Sequence, residues 1–147
     1  MKILFAAIAL LAGAGLAVQV GMNSHLRTKL GHPLPAAVTN FGVGLACLLA
    51  IGLATATPVP KSSHAAGAPW WAWMGGVVGA GYVMASAAFA RKLGAAGWLG
   101  AIVTGQILAS LVMDHFGLAG FEVSPVNAPR LLGAALLLIG VVLVLRF

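Results

Sequence analysis

Gly97–Phe116 reads GWLGAIVTGQILASLVMDHF. A helix rises about 1.5 Å per residue, so a stretch of this length covers about 30 Å, the thickness of a bilayer's hydrocarbon core. Inside this apolar run, Gln106, Ser110 and Asp114 fall at i, i+4 and i+8, which places them one above another on one helix face. In water such a stripe would be a solvated face. In hydrocarbon a polar side chain must face protein or a wet cavity, so the same stripe marks an interior surface.

The rest of the chain decides between the two settings. Of 147 residues, 61% are hydrophobic and only 7% charged, against about 25% charged in soluble domains. One small membrane domain, residues 1–147, fits this composition. The net charge of +6 does not indicate a nucleic-acid partner. The eight Lys and Arg are spread in ones and twos between apolar runs, as membrane proteins place flanking charges, and no basic patch forms. The single Cys47 lies in an apolar run, which leaves no intrachain disulfide and no Cys-based metal site. Lys2 followed by ILFAAIALLAGAGLA resembles a signal peptide, but the apolar run continues through Val20 and is read as the first membrane helix.

Five spans are expected, over about residues 3–30, 35–57, 69–93, 97–116 and 129–147. Pro33 and Pro35 suit a helix start, Pro58 and Pro60 close the second span, and Gly94 suits the C-cap of the third. The fifth holds only Leu131 to Leu145 between Arg130 and Arg146. Those arginines can snorkel outward and make a thin span feasible. Four spans and a surface helix is the alternative. Trp70, Trp71 and Trp73 at the head of span three and Trp98 at the head of span four take interfacial belt positions. Gly75 and Gly79 form a small-xxx-small step for close helix packing.

Five spans put the termini on opposite sides. Lys2, Lys61 and Arg130 then share one side, and Arg27, Lys29, Arg91, Lys92 and Arg146 the other. This near balance gives only a mild push to N-out, C-in. It suits a chain that inserts in both orientations as well as one with a weak single preference. Five thin helices do not readily enclose a solute path, whereas two antiparallel copies supply ten around a shared cavity, as inverted repeats do.

The cavity candidates are Gln19 and Asn23 at i, i+4 in span one, Tyr82 in span three, and Gln106 with Ser110 in span four. Thr39 and Asn40 lie near the start of span two. Interhelical hydrogen bonding is the plainer role for Ser86, Ser110 and Thr39. Asp114 is one of only two acidic residues and sits in the last turn of its helix, where the dipole disfavours it by about 0.3–1 kcal/mol. It needs a partner, and Arg130 is the structural or gating candidate. A proton-coupling role with His115 is the sharper alternative, weakened by the interfacial depth of Asp114. His25, His32 and His64 have no second ligand at metal spacing. No catalytic constellation, cofactor motif or metal set is present in the sequence.

In order along the chain, the motifs Gln19-x-x-x-Asn23-x-x-Leu26-Arg27, Asn40-Phe41-x-x-Gly44, Pro69-Trp70-Trp71-x-Trp73-x-Gly75-Gly76, Arg91-x-Leu93-Gly94-Ala95, Gly105-Gln106-x-x-x-Ser110-x-x-x-Asp114-His115-Phe116-Gly117 and Arg130-x-x-Gly133 resemble the YdcZ-type group of the drug/metabolite transporter superfamily. The block from Gly105 to Gly117 is the most specific. The resemblance implies a bacterial inner-membrane protein of the five-helix half-transporter type, one half of a 5+5 inverted repeat. It supplies no substrate. The chain lacks the first-helix membrane glutamate of the small multidrug exporters in that superfamily, which weighs against proton-coupled export of organic cations.

The expected function is a small secondary transporter that moves a small neutral or zwitterionic metabolite by alternating access. The expected partners are a second copy of the chain, antiparallel, or a paralogue, together with membrane lipid. The alternatives are an accessory or assembly subunit of another membrane complex, and a lipid-handling protein.

Overall fold

The computed structural model describes residues 1–58 and 67–147. Pro60, Lys61 and His64, placed by the sequence in the loop after span two, lie outside the described residues. Every regular element among the described residues is helical, and five helices are long and apolar enough to cross a membrane. The protein is an all-α, five-helix membrane protein. Helix α1 is Lys2–Leu30, α2 is Pro33–Ala54, α3 is Gly75–Leu93, α4 is Ala95–Phe116 and α5 is Ala128–Arg146.

Local chemistry sets the boundaries. Gly31 ends α1 in the left-handed region at φ 76°, where glycine has no Cβ penalty. α2 starts at Pro33, two residues before the expected Pro35, because His32 serves as its N-cap: the backbone N–H of Leu34 donates to His32 Nδ1 at 3.2 Å. α2 stops at Ala54 rather than Thr57. The Thr55 hydroxyl donates back to the Ile51 carbonyl at 2.8 Å, and Ala56 turns the chain at φ 50°. The expected span 69–93 divides into a 3-10 turn, Trp70–Met74, and α3. α4 begins at Ala95, two residues before Gly97, where the Trp98 N–H closes onto the Gly94 carbonyl at 3.0 Å. α5 begins at Ala128, capped by Asn127 Oδ1, which accepts from the Arg130 N–H at 3.1 Å. The expected start is residue 129, and the Asn127 cap sets it one residue earlier.

The helices fall into two compact units, Met1–Arg91 and Lys92–Phe147. In the first, α1 pairs with α2 as a hairpin. Its buried residues are small: Val20, Asn23 and Ser24 on α1, Ala36 and Ala37 on α2, and Val83, Ser86, Ala87 and Ala90 on α3. Large apolar side chains such as Leu10 and Leu48 point outward. Hydrocarbon solvates leucine as well as a core does, so close backbone packing replaces a bulky core.

In the second unit α4 pairs with α5. A Cβ added at Gly97 would lie 2.6 Å from Leu145 Cδ2, and one at Gly100 2.9 Å from Val141 Cγ2. The close glycine contacts of this hairpin are therefore Gly97 and Gly100. At Gly79 an added Cβ would reach Phe41 Cζ at an ordinary 3.7 Å, while Gly75 opens onto empty space.

Candidate functional site

Two groups of polar side chains stand out, one in each unit. The first is an open groove of about 490 Å3 between α1 and α2, lined by Gln19, Asn40, Phe41, Val43 and Leu45 among others. Gln19 lies 11 residues before the end of α1 and Asn40 seven after the start of α2, so the two amides sit about 10–17 Å in from their helix ends. Each amide supplies two N–H donors and a carbonyl acceptor. Asn40 is the residue that the cavity set Gln19, Asn23, Tyr82, Gln106 and Ser110 omitted. Its signal was present in the Asn40-Phe41-x-x-Gly44 motif. Asn23, one turn beyond Gln19, is instead buried at 3% exposure and does not line the groove. Tyr82 is half-buried in α3 and also lies outside it.

The second group lies where α4 turns into α5. Arg130 Nη2 donates to Asp114 Oδ2 in an ion pair whose side chains are 29% and 27% exposed. Arg130 Nη1 donates to the Ser124 carbonyl at 2.9 Å and to Ser124 Oγ at 3.1 Å. The Ser124 N–H donates to the Asp114 carbonyl at 2.7 Å. His115 Nδ1 accepts from the Val126 N–H at 3.2 Å, and its ring meets Phe116 edge-on at 4.7 Å. These contacts clasp the connection 117–127 onto the helix ends. Gly117 leaves α4 at φ 64°, where an added Cβ would lie 2.8 Å from Val123 Cγ2.

The clasp has an electrostatic cause. Asp114 sits at the negative end of the α4 dipole and Arg130 at the positive end of the α5 dipole, so each charge is disfavoured by its own helix. Paired, each satisfies the other. The sequence indicated Arg130 as partner. It did not indicate Ser124, because only the folded connection brings that hydroxyl and carbonyl under the guanidinium.

The stripe on α4 divides. Ser110 lines a groove of about 310 Å3 against Arg130, Gly133 and Ala134 of α5. Gln106 is exposed and is not among its lining residues. An i, i+4 step rotates by about 40° on an ideal helix, so Gln106 and Asp114 are about 80° apart. The α5 face takes Asp114 and Ser110 and leaves Gln106 on the flank. Among the described residues, no three of His, Cys, Asp or Glu converge as a metal set would.

Five apolar helices, amides within the spans and a charged clasp at a helix turn define a multi-pass membrane protein. The sequence matches the family described as "Putative inner membrane exporter, YdcZ" over residues 4–143, and the chain belongs to that family. It is 29% identical over 140 residues to the inner membrane protein YdcZ of Escherichia coli strain K12, a match covering 92% of this chain and 90% of that protein. No solved structure matches it. The chain is a multi-pass inner-membrane protein.

Proposed function

We propose that this chain is a small secondary transporter without enzymatic activity, one half of a ten-helix inverted-repeat assembly formed with a second, antiparallel copy or a paralogue. The observation that carries it is the convergence of Gln19 and Asn40 on one groove inside otherwise apolar spans. Membrane helices retain such amides where they meet a solute, water or each other. Two neutral amides, with no carboxylate in the groove, suit a neutral or zwitterionic polar metabolite. Family membership supports export across the inner membrane. The odd span number and the near-balanced flanking charges support the antiparallel pair. Asp114 and Arg130 act as a gate pair at the α4–α5 turn in this reading, with His115 holding the connection.

The test is flux in reconstituted vesicles across a panel of small polar metabolites. Gln19→Leu and Asn40→Leu each lower flux of the transported solute by at least tenfold while the assembly survives in mild detergent. This corresponds to loss of one or two solute hydrogen bonds at about 1 kcal/mol each. Absence of flux for the whole panel, or an obligate foreign partner in native mass spectrometry, would overturn the proposal in favour of an accessory subunit.

A further inference from the structure

A second groove, unused by the proposed transport path, runs between α2 and α3. It encloses about 690 Å3 and is lined by Leu34, Val38 and Phe41 on one side and Val77, Gly81 and Met84 on the other, with almost no polar surface. Leu34 belongs to the first turn of α2, and Met84 stands seven residues before Arg91 on α3. The spacing Val77, Gly81, Met84, Arg91 follows one face of a helix, so Arg91 caps the groove's own stripe about 10 Å above Met84.

That end of the unit is cationic. Arg91 Nη1 donates to Thr28 Oγ1 at 2.6 Å, which ties the end of α3 to the last turns of α1, where Arg27 and Lys29 flank Thr28. Residues 1–91 contain no Asp or Glu: the chain's two acidic residues are Asp114 and Glu122. Asp114 is engaged by Arg130. The cations therefore have no carboxylate in their own unit, and the Arg91–Thr28 bond brings the α3 end of the apolar slot to the α1 turn that carries Arg27 and Lys29.

We propose that the α2–α3 groove and the Arg27, Lys29 and Arg91 rim bind one anionic phospholipid, with an acyl chain along Val38, Val77 and Met84 and the phosphate on the rim. The chemistry is that of a basic rim at the headgroup level over an apolar face. The thioether of Met84 and the open backbone at Gly81 let the slot adapt to a flexible chain. The site is separable from transport: Gln19 and Asn40 line a different groove, and Phe41 alone is common to both linings.

The experiment is native mass spectrometry of the full chain, released from mixed phosphatidylglycerol and phosphatidylethanolamine, with lipid retention counted for each class. The expected result is retention of phosphatidylglycerol over phosphatidylethanolamine. Each neutralised cation lowers that preference by about fivefold, the effect of one basic side chain near an anionic surface. Lys29→Gln alone is the mildest variant, since Lys29 is exposed, and the triple Arg27→Gln, Lys29→Gln, Arg91→Gln abolishes the preference. An added Cβ at Gly81 meets nothing within 4 Å, so Gly81→Leu starts in open space and directs its branch into the slot. It loses both lipids while the melting temperature is kept. Equal retention of the two lipids by the parent chain, or unchanged retention in Gly81→Leu, would overturn the proposal. So would inorganic phosphate binding equally to parent and Gly81→Leu while displacing no lipid, which would make the rim a free-phosphate site.

Discussion

Exchanging the two charges of the clasp, Asp114→Arg with Arg130→Asp, tests why this ion pair exists. In the native chain each charge opposes the dipole of its own helix. Removing Arg130 costs its bond to Asp114 and both bonds to Ser124, and leaves the Asp114 carboxylate at an adverse helix end. A hydrogen bond to a charged group contributes about 1.5–3 kcal/mol when sheltered. The side chains are 29% and 27% exposed, so partial screening brings the expected loss for Arg130→Ala to about 1–2 kcal/mol. Asp114→Ala costs less, about 1 kcal/mol, because Arg130 keeps Ser124. The exchanged pair places Arg at a helix C-terminus and Asp at a helix N-terminus, and each placement becomes favourable by about 0.3–1 kcal/mol. The exchange also keeps the number of cations on that side of the membrane, so the orientation signal is unchanged. The double variant should therefore recover most of what Arg130→Ala loses, despite the missing Ser124 contacts. Hydrogen exchange reads this at two amides, Ser124 donating to the Asp114 carbonyl and Val126 donating to His115. Protection should fall about tenfold in Arg130→Ala, the equivalent of 1.4 kcal/mol, and return to within about twofold of the parent in the exchange. An exchanged protein less protected than Arg130→Ala would refute the dipole argument. Unchanged protection in Arg130→Ala would refute the contribution of the pair itself.

Gly100→Ala should destabilise the detergent-solubilised protein by about 1–3 kcal/mol of strain, read as a larger fall in melting temperature than for Gly97→Ala. Val141 is β-branched and fixed in its rotamer, whereas the Leu145 terminus facing Gly97 can swing aside. Gly105→Ala, with open space at its Cβ, should be neutral or slightly stabilising, and equal melting of all three would sink this account. Asn127→Ala removes the α5 cap and should cost about 1 kcal/mol, seen as faster exchange at the Arg130 amide, the group that Asn127 accepts from. Reporters fused to the C-terminus should report both sides of the membrane if the chain inserts in two orientations. A single reported side ends the antiparallel homodimer and leaves the paralogous partner.

The sequence by itself determined the type of element and pointed to five spans, with four spans and a surface helix left open. Apolar runs of bilayer length between isolated cations admit only helices, because hydrocarbon leaves backbone groups no partner outside the chain. It also marked the helix ends at Gly31, Gly94 and Gly117, all at positive φ, but not those of α2, which the local bonds of His32 and Thr55 set. It singled out Asp114 as a charge in need of a partner, since the dipole acts within its own helix. Which polar groups meet was decided only by tertiary structure. Gln19 shares a groove with Asn40 rather than with Asn23, and Ser110 turns to α5 while Gln106 does not. Those pairings depend on the rotation of each helix about its axis. Rotation is set by where small residues such as Gly97 and Gly100 let backbones approach. Periodicity gives a face to each helix but no neighbour to that face, and Ser124 shows the limit most clearly. Nothing in a loop serine announces a guanidinium partner until the connection 117–127 folds back and delivers it.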